Sequence, residues 1–385
     1  MKNISILGST GSIGRNTLQV ISKMEDRFNV TGLSAGSNIK LILEQIKIFR
    51  PEIVSLKNKK DADDLRSRLK GNRLKITCGP EGNEEVAGYT ENDIVVSAIT
   101  GINGVKPTLA ALKTAKRLAL ANKEALVTAG ALVQKAAQES GAEIIPVDSE
   151  HSGVFQCLSD EKTEDVNRVI LTASGGPFFE MSPEEMKDQS PRNALNHPRW
   201  KMGKKISIDS ATMMNKGMEI IEAKWLFNLN PKQLDILIHP QSIVHSLVEM
   251  KDGSILAQMS RTDMKIPIQY ALTYPDRAES SLPYLNLENS GPLEFFEADQ
   301  KKFPLIGLAF RALRENPYFS VGLNAANEVA VQEFLSERLN FSGIWETVME
   351  VMNQLSPINL DTLEDIFLLD REVRETTRNF IKQRD

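Results

Sequence analysis

The segment Val147-Asp148-Ser149-Glu150-His151 ends a β-rich apolar run in two acids one residue apart. In extended backbone, positions i and i+2 point to the same side, so Asp148 and Glu150 are expected to converge on one point. Two carboxylates left together in a cleft repel, and a divalent cation that prefers oxygen, Mg2+ or Mn2+, resolves the repulsion. Glu219, in the helical stretch 213–227, could be a third ligand. Taken alone, Asp-Ser-Glu also reads as a solvated surface tripeptide, and His151 beside it as a local hydrogen-bonding group.

A second constellation points to an anion. From His197 to Lys216 the chain carries five Lys or Arg and one Asp, although the whole protein has a formal net charge of -5. Ser210 and Thr212 are expected where a helix begins, so that hydroxyls and free amides face a phosphate, with Asn215 and Lys216 one turn later adding a donor and a charge. The alternative is an N-cap followed by solvated lysines. Pro198-Arg199-Trp200-Lys201-Met202-Gly203 reads as a mobile loop, and Trp200 suits a lid that covers substrate and keeps water out. A tryptophan packed into its own domain is the plainer reading. Ala173-Ser174-Gly175-Gly176-Pro177-Phe178, after a strand, is another turn from which Ser174 could donate to phosphate.

The third constellation is at the start. Ile4-Ser5-Ile6-Leu7 runs into Gly8-Ser9-Thr10-Gly11-Ser12-Ile13-Gly14 and then a helical segment. Strand, glycine turn and helix follow in the order that lets backbone amides face a pyrophosphate. The spacing is G-x-x-G-x-x-G rather than G-x-G-x-x-G, and a glycine turn that binds nothing is the alternative. At the end of the second strand, Ser34-Ala35-Gly36-Ser37-Asn38 has no acid to hold a ribose 2′-hydroxyl or repel a 2′-phosphate. With Ser37 and Asn38 as donors, NADP is favoured over NAD unless an acid arrives from another loop.

These residues need a frame. Up to about residue 148, short apolar runs at 3–7, 29–35, 52–56, 75–78, 93–99, 118–121 and 143–147 alternate with amphipathic segments such as 108–116 and 124–140. That alternation predicts βαβ units on a parallel sheet, an α/β fold. A mixed α+β segment follows, with strands near 166–172, 235–238, 242–250 and 254–259, the last two joined by the Lys251-Asp252-Gly253 turn. After a loop-rich stretch, apolar faces at 303–313, 324–335, 344–355 and 363–381 predict a C-terminal helical bundle.

A chain of 385 residues with 41% hydrophobic and 25% charged residues is of ordinary globular composition and is expected to form two or three domains. Its charges are interspersed, which argues against nucleic acid or a membrane surface as partner. Cys78 and Cys157 have neither pairing nor metal-ligand spacing, which points to a reducing compartment and excludes a thiolate cage. A strand beginning at Asn3 leaves no room for a targeting peptide, and no apolar run approaches the roughly 18 residues needed to span a bilayer. A cytoplasmic protein is expected.

The glycine turn 8–14, Ala121-Asn122-Lys123-Glu124, Val147 to His151, Ala173 to Phe178, His197 to Gly203, Ser210-Ala211-Thr212-Met213-Met214-Asn215-Lys216-Gly217 and His239-Pro240-Gln241-Ser242 occur here in one order. Together they resemble the 1-deoxy-D-xylulose 5-phosphate reductoisomerase family, over residues 1–259 at least, and the helical tail fits as well. The resemblance implies an NADPH-binding Rossmann-like domain over 1–148 and a catalytic and dimerisation domain over 149–276 with a lid loop at about 196–206. It further implies a linker over 277–300, a helical bundle over 301–385, and a homodimer. Asp148, Glu150 and Glu219 would hold Mg2+ or Mn2+, and Ser174, His197, Ser210, Asn215 and Lys216 the substrate phosphate. Ser149 and Lys123 would meet the carbon chain and its hydroxyls, while Trp200 and Met202 belong to the lid. Thr10, Gly11, Ser12, Ile13, Gly36, Ser37, Asn38, Asn122, Lys123, Glu124 and Gly203 would contact the cofactor. Ser37 stands where some members of the family carry a lysine, so NADP preference would rest on hydrogen bonds from Ser37 and Asn38 rather than on an ion pair.

The implied reaction is the rearrangement and NADPH reduction of 1-deoxy-D-xylulose 5-phosphate to 2-C-methyl-D-erythritol 4-phosphate, on the methylerythritol phosphate route to isoprenoid precursors. Lys123 is the candidate for moving or balancing protons near the reacting hydroxyls. Two alternatives are an NADP-dependent reductase of another phosphorylated substrate, which needs no carboxylate set, and a catalytically inactive nucleotide sensor, which would carry a damaged metal or phosphate constellation.

Overall fold

The computed structural model describes residues 1–69, 71, 73–200, 202–315 and 317–384. From the N-terminus the chain forms β1 (Lys2–Leu7), α1 (Ser12–Ile21), β2 (Phe28–Ala35), α2 (Ile39–Phe49), β3 (Ile53–Leu56), α3 (Lys59–Arg68), β4 (Lys75–Cys78) and α4 (Gly79–Ala87). It continues with β5 (Ile94–Ser97), α5 (Val105–Thr114), β6 (Arg117–Leu120), α6 (Lys123–Ser140), β7 (Glu143–Pro146) and α7 (Ser149–Cys157). Then come β8 (Val166–Ala173), α8 (Pro183–Met186), α9 (Pro191–Ala194), α10 (Lys204–Ala211), α11 (Met214–Phe227), β9 (Leu234–Ile238), β10 (Val244–Met250) and β11 (Ile255–Met259). The remainder is α12 (Lys265–Thr273), β12 (Phe296–Glu297), α13 (Pro304–Ala312), α14 (Pro317–Leu335), α15 (Phe341–Gln354) and α16 (Leu363–Arg384).

The chain divides into two compact units, Met1–Ala125 with Ala131–Ser152 and Asp263–Tyr284, and Leu126–Gly130 with Gly153–Thr262 and Leu285–Asp385. The sequence places 263–276 with the central segment, whereas α12 packs on α1, β6 and β7 of the first unit. The reason is its apolar face: Pro267, Ile268, Tyr270, Ala271 and Leu272 are all buried.

In the first unit the strand order is β4-β3-β2-β1-β5-β6-β7, and every pairing is parallel. β3, β5 and β6 are buried along their whole length, as strands covered by helices on both faces must be. A wholly parallel sheet puts all strand C-termini on one edge. Chain order reverses around β1, which lies between β2 and β5, and such a switch point opens the crevice in which open α/β sheets bind ligands.

The second unit is built on the order β11-β10-β8-β9-β12. β8 runs parallel to β9 and antiparallel to β10, and β10 and β11 form the expected hairpin. β12 lies inside the expected linker and pairs with β9. In the bundle, α14 packs on α13, α15 and α16. Phe341 meets Phe178 edge-on at 4.9 Å and Phe334 at 5.6 Å, all three at most 1% exposed. Burying one such ring contributes about 1.5–3 kcal/mol, so the turn after β8 is tied firmly to α15. Among the described residues, no helix is long and apolar enough to cross a membrane.

Candidate active site

In the first unit the candidate residues sit at the C-terminal edge of the sheet. Gly11 is the N-cap of α1 and has no side chain to offer, so the leading amides around Ser12 and Ile13 open from the helix end. Gly14 lets the turn close: a Cβ there would lie 2.4 Å from Ser9 Cα, a contact no side chain tolerates. After β2, Gly36, Ser37 and Asn38 are exposed. Asn38 Oδ1 accepts from Leu41 N at 3.1 Å as the N-cap of α2, which leaves its amide nitrogen as the donor.

After β6, Asn122 caps α6 by accepting from Ala125 N at 2.9 Å. Its Nδ2 donates to Ile99 O at 2.6 Å, to Gly101 O at 3.1 Å and to Glu124 Oε2 at 3.1 Å. This side chain ties the loop after β5 to the start of α6 and thereby places the next residue. Lys123 is 8% exposed, and its Nζ lies 2.9 Å from Asp148 Oδ2.

Asp148 and Glu150 differ from the expectation of extended backbone. β7 ends at Pro146, and Asp148 O accepts from Ser152 N at 2.8 Å, so Asp148 caps α7 while Glu150 stands in its first turn. The positive end of a helix favours acids, so both carboxylates are stabilised in these positions. Ser149 Oγ donates to Glu150 Oε2 at 2.6 Å. His151 is wholly buried, with Nδ1 3.9 Å from Asp148 Oδ2.

In the second unit, three turns converge. His239 N, after β9, donates to Ala173 O at 2.6 Å, and Arg199 Nε donates to Pro240 O at 3.1 Å. Ser174 Oγ lies 2.9 Å from His197 Nε2, while His197 Nδ1 accepts from the amides of Arg199 at 3.1 Å and Trp200 at 2.9 Å. Burial pushes the His197 imidazole down to about 4. Trp200 and Met202 are half-buried and Gly203 is exposed; Lys201, between them, lies outside the described residues. The irregular stretch of the expected lid ends at Gly203, because 204–206 already belong to α10.

The helix start expected at Ser210 and Thr212 is instead a helix end. Ser210 lies in the last turn of α10, Thr212 is its C-cap, and Met213 takes a left-handed φ of 61° before α11 begins. Sequence alone reads one helical start because the break spans two residues, of which only Met213 leaves helical backbone. Gly176, also left-handed, brings the turn after β8 against this junction: a Cβ on it would lie 2.7 Å from Ser210 O. Asn215 and Lys216 occupy the first turn of α11, and both reach Glu219 one turn on.

With both halves in view, relatives sharpen the reading. Three family models match, described as 1-deoxy-D-xylulose 5-phosphate reductoisomerase over 4–130, its C-terminal domain over 144–227, and DXP reductoisomerase C-terminal domain over 259–376. A 1-deoxy-D-xylulose 5-phosphate reductoisomerase of Chlorobium phaeovibrioides is 48% identical over 382 residues, covering 99% of this chain and 100% of the relative. The chain belongs to this reductoisomerase family. The family member of Pelotomaculum thermopropionicum is 50% identical, covering 97% of both chains. Among solved structures, the Zymomonas mobilis reductoisomerase in complex with NADPH superposes with a TM-score of 0.93 at 38% identity, covering 99% of each chain. A reductoisomerase in complex with NADPH, fosmidomycin and magnesium gives 0.93 at 39%, covering 99% of this chain and 98% of that one.

The family match over 144–227 contains the acids, the basic segment and Glu219 together. Sequence reasoning missed Asp209, 2% exposed and paired with Lys205 Nζ at 2.9 Å and with Asn327 Nδ2 at 2.8 Å. It also missed Glu222, buried on α11, and the docking of Arg199 on Pro240. A signal for Asn327 was present: Asn324 and Asn327 are polar positions in an apolar helical run, and both have no exposed surface. Cys78 and Cys157 are free, and burial pushes the Cys157 thiol up to about 11, which disfavours its thiolate at neutral pH.

Proposed function

We propose that this protein rearranges and reduces 1-deoxy-D-xylulose 5-phosphate to 2-C-methyl-D-erythritol 4-phosphate, using NADPH and Mg2+ or Mn2+, on the methylerythritol phosphate route to isoprenoid precursors. The observation that carries this reading is the family match running through nucleotide turn, acids and basic segment of one chain, 48% identical over 382 residues. An NADP-dependent reductase of another phosphorylated substrate has no need of the carboxylates, and a sensor has no need of a buried lysine beside one of them.

The residues present fit both a divalent cation and a dinucleotide. Asp148, Glu150 and Glu219 offer only oxygen, as a hard cation requires, and the open amides of α1 suit a pyrophosphate. When bound, the cation supplies Lewis-acid polarisation of the substrate ketone and NADPH supplies hydride. Thr10, Gly11, Ser12 and Ile13 hold the pyrophosphate, and Gly36, Ser37 and Asn38 the 2′-phosphate. Asn122, Glu124 and Gly203 border the cofactor. Ser174, His197, Ser210, Asn215 and Lys216 bind the substrate phosphate, and Ser149 its hydroxyls. Lys123 holds a proton at the reacting hydroxyls, with Asp148 keeping its ammonium in place. Trp200 and Met202 cover the substrate and exclude water.

A homodimer is part of this proposal. β11 is the outer strand of its sheet, and Ile255 on it is 53% exposed, a kind of edge that a second copy covers. The cytoplasm is the proposed setting, where free Cys78 and Cys157 stay reduced.

The test is loss of NADPH absorbance with 1-deoxy-D-xylulose 5-phosphate, run with Mn2+, with EDTA, and in Glu150→Gln. Turnover should require metal and collapse in the variant. No turnover by folded, metal-loaded protein would move the assignment to another phosphorylated substrate or to the sensor.

A further inference from the structure

Glu219 has no exposed surface, and two of the residues proposed to hold the substrate phosphate are committed to it. Asn215 Nδ2 donates to Glu219 Oε1 at 2.5 Å, and Lys216 Nζ donates to Glu219 Oε2 within a buried ion pair. The spacing makes the arrangement local: residues three and four before Glu219 share its face of α11. Lys216 is itself only 2% exposed, so neither charge is compensated by water. These contacts leave N–H groups on both side chains, but they hold the two on the Glu219 side of α11, where the carboxylate also repels an anion, so a phosphate must draw them away from it. Ser174 and His197, paired with each other, stand outside this exchange.

We propose that Glu219 is a clamp coupling the cation to the phosphate. Without a cation its carboxylate withholds Asn215 and Lys216 from phosphate; once its oxygens ligate a divalent cation, it releases both. This rests on the functional reading above, in which Glu219 is a cation ligand and Asn215 and Lys216 are phosphate ligands. The coupling is reciprocal, so phosphate must tighten the cation by the same factor.

Inorganic phosphate titrated calorimetrically into the full chain, in EDTA and in saturating Mg2+, tests the clamp. Wild type should bind phosphate roughly tenfold tighter with Mg2+, within the usual range for coupled sites. Glu219→Gln in EDTA should already bind as tightly as Mg2+-loaded wild type, since a neutral amide holds Lys216 poorly, and should not respond to Mg2+. Glu150→Gln keeps the clamp and should bind as weakly as wild type in EDTA. If Glu219→Gln in EDTA binds phosphate no better than wild type in EDTA, the clamp is overturned, and any Mg2+ effect is direct attraction between cation and anion. Circular dichroism checks folding. Should the Gln variant not fold, Glu219→Asp, whose shorter reach loosens the same contacts, must show the same gain in EDTA. Absence of turnover by wild type with 1-deoxy-D-xylulose 5-phosphate would overturn the functional reading separately, because the clamp is decided by the phosphate titrations alone.

Discussion

His197 Nε2 and Ser174 Oγ lie 2.9 Å apart, and the far side of the imidazole settles which of them donates. Nδ1 accepts two backbone amides, from Arg199 and Trp200, so it carries no proton. The ring is then neutral with its proton on Nε2, which donates to Ser174 and leaves the serine hydroxyl to donate onward. One ring thus fixes both the turn after β8, proposed to hold phosphate, and Arg199 and Trp200 in the proposed lid.

Burial holds the folded imidazole at about 4, below its ordinary 6.5. Between those values the unfolded chain binds more protons than the folded one, so stability rises with pH across that window. The contribution is complete above 6.5 and is lost as pH falls toward 4. Urea midpoints measured from neutral pH down to 4 should therefore fall more steeply for wild type than for His197→Asn. Parallel curves would show that the ring is not held neutral.

Ser37→Asp tests the nucleotide choice. The loop after β2 has no acid in 34–38, and a carboxylate there would accept from a ribose 2′-hydroxyl and repel a 2′-phosphate. The ratio of kcat/KM for NADPH to that for NADH should drop by about tenfold or more, an effect of roughly 1.4 kcal/mol. An unchanged ratio would mean that the 2′-phosphate is held elsewhere.

Lys123→Met removes the ammonium 2.9 Å from Asp148. Loss of a positioned proton donor lowers kcat by about 10²–10⁴-fold. Removing a positive charge beside Asp148, a proposed cation ligand, should at the same time leave Mn2+ binding as tight or tighter, read from the free Mn2+ signal in spin resonance. Full activity in this variant would sink the assigned role.

Asn327→Leu leaves one Asp209 oxygen without its donor in buried surroundings, a loss of about 1–3 kcal/mol in stability. Asp209 adjoins Ser210, and Lys205 on its other oxygen adjoins the proposed lid. The KM for 1-deoxy-D-xylulose 5-phosphate should rise while NADPH affinity, read by fluorescence titration, stays the same. A lower melting temperature with an unchanged KM would confine the pair to structural support.

The sequence by itself determined the local elements and the chemistry on offer. Period-two and period-3.6 apolar patterns and glycine turns are short-range signals, so the parallel sheet, the β10–β11 hairpin and the last helices were legible to within a few residues, α14 excepted, which starts earlier than its apolar pattern. The residue types at 8–14, 148–150 and 197–219 pointed to a nucleotide, a hard cation and an anion, each with a plainer reading beside it until the family resemblance joined them. Tertiary structure decided what short windows cannot encode. Whether Asp148 and Glu150 sit on a strand or cap a helix depended on where β7 could pair, and it pairs with β6 only through Pro146. Whether Ser210 begins or ends a helix turned on one left-handed residue, Met213, held by burial rather than by its own preference. The allegiance of α12 to the first unit, β12 in place of a bare linker, and the pairing of Asp209 with Asn327, 118 residues on, arise from packing between distant segments. No local propensity records those contacts, because their free energy exists only once both partners are buried together.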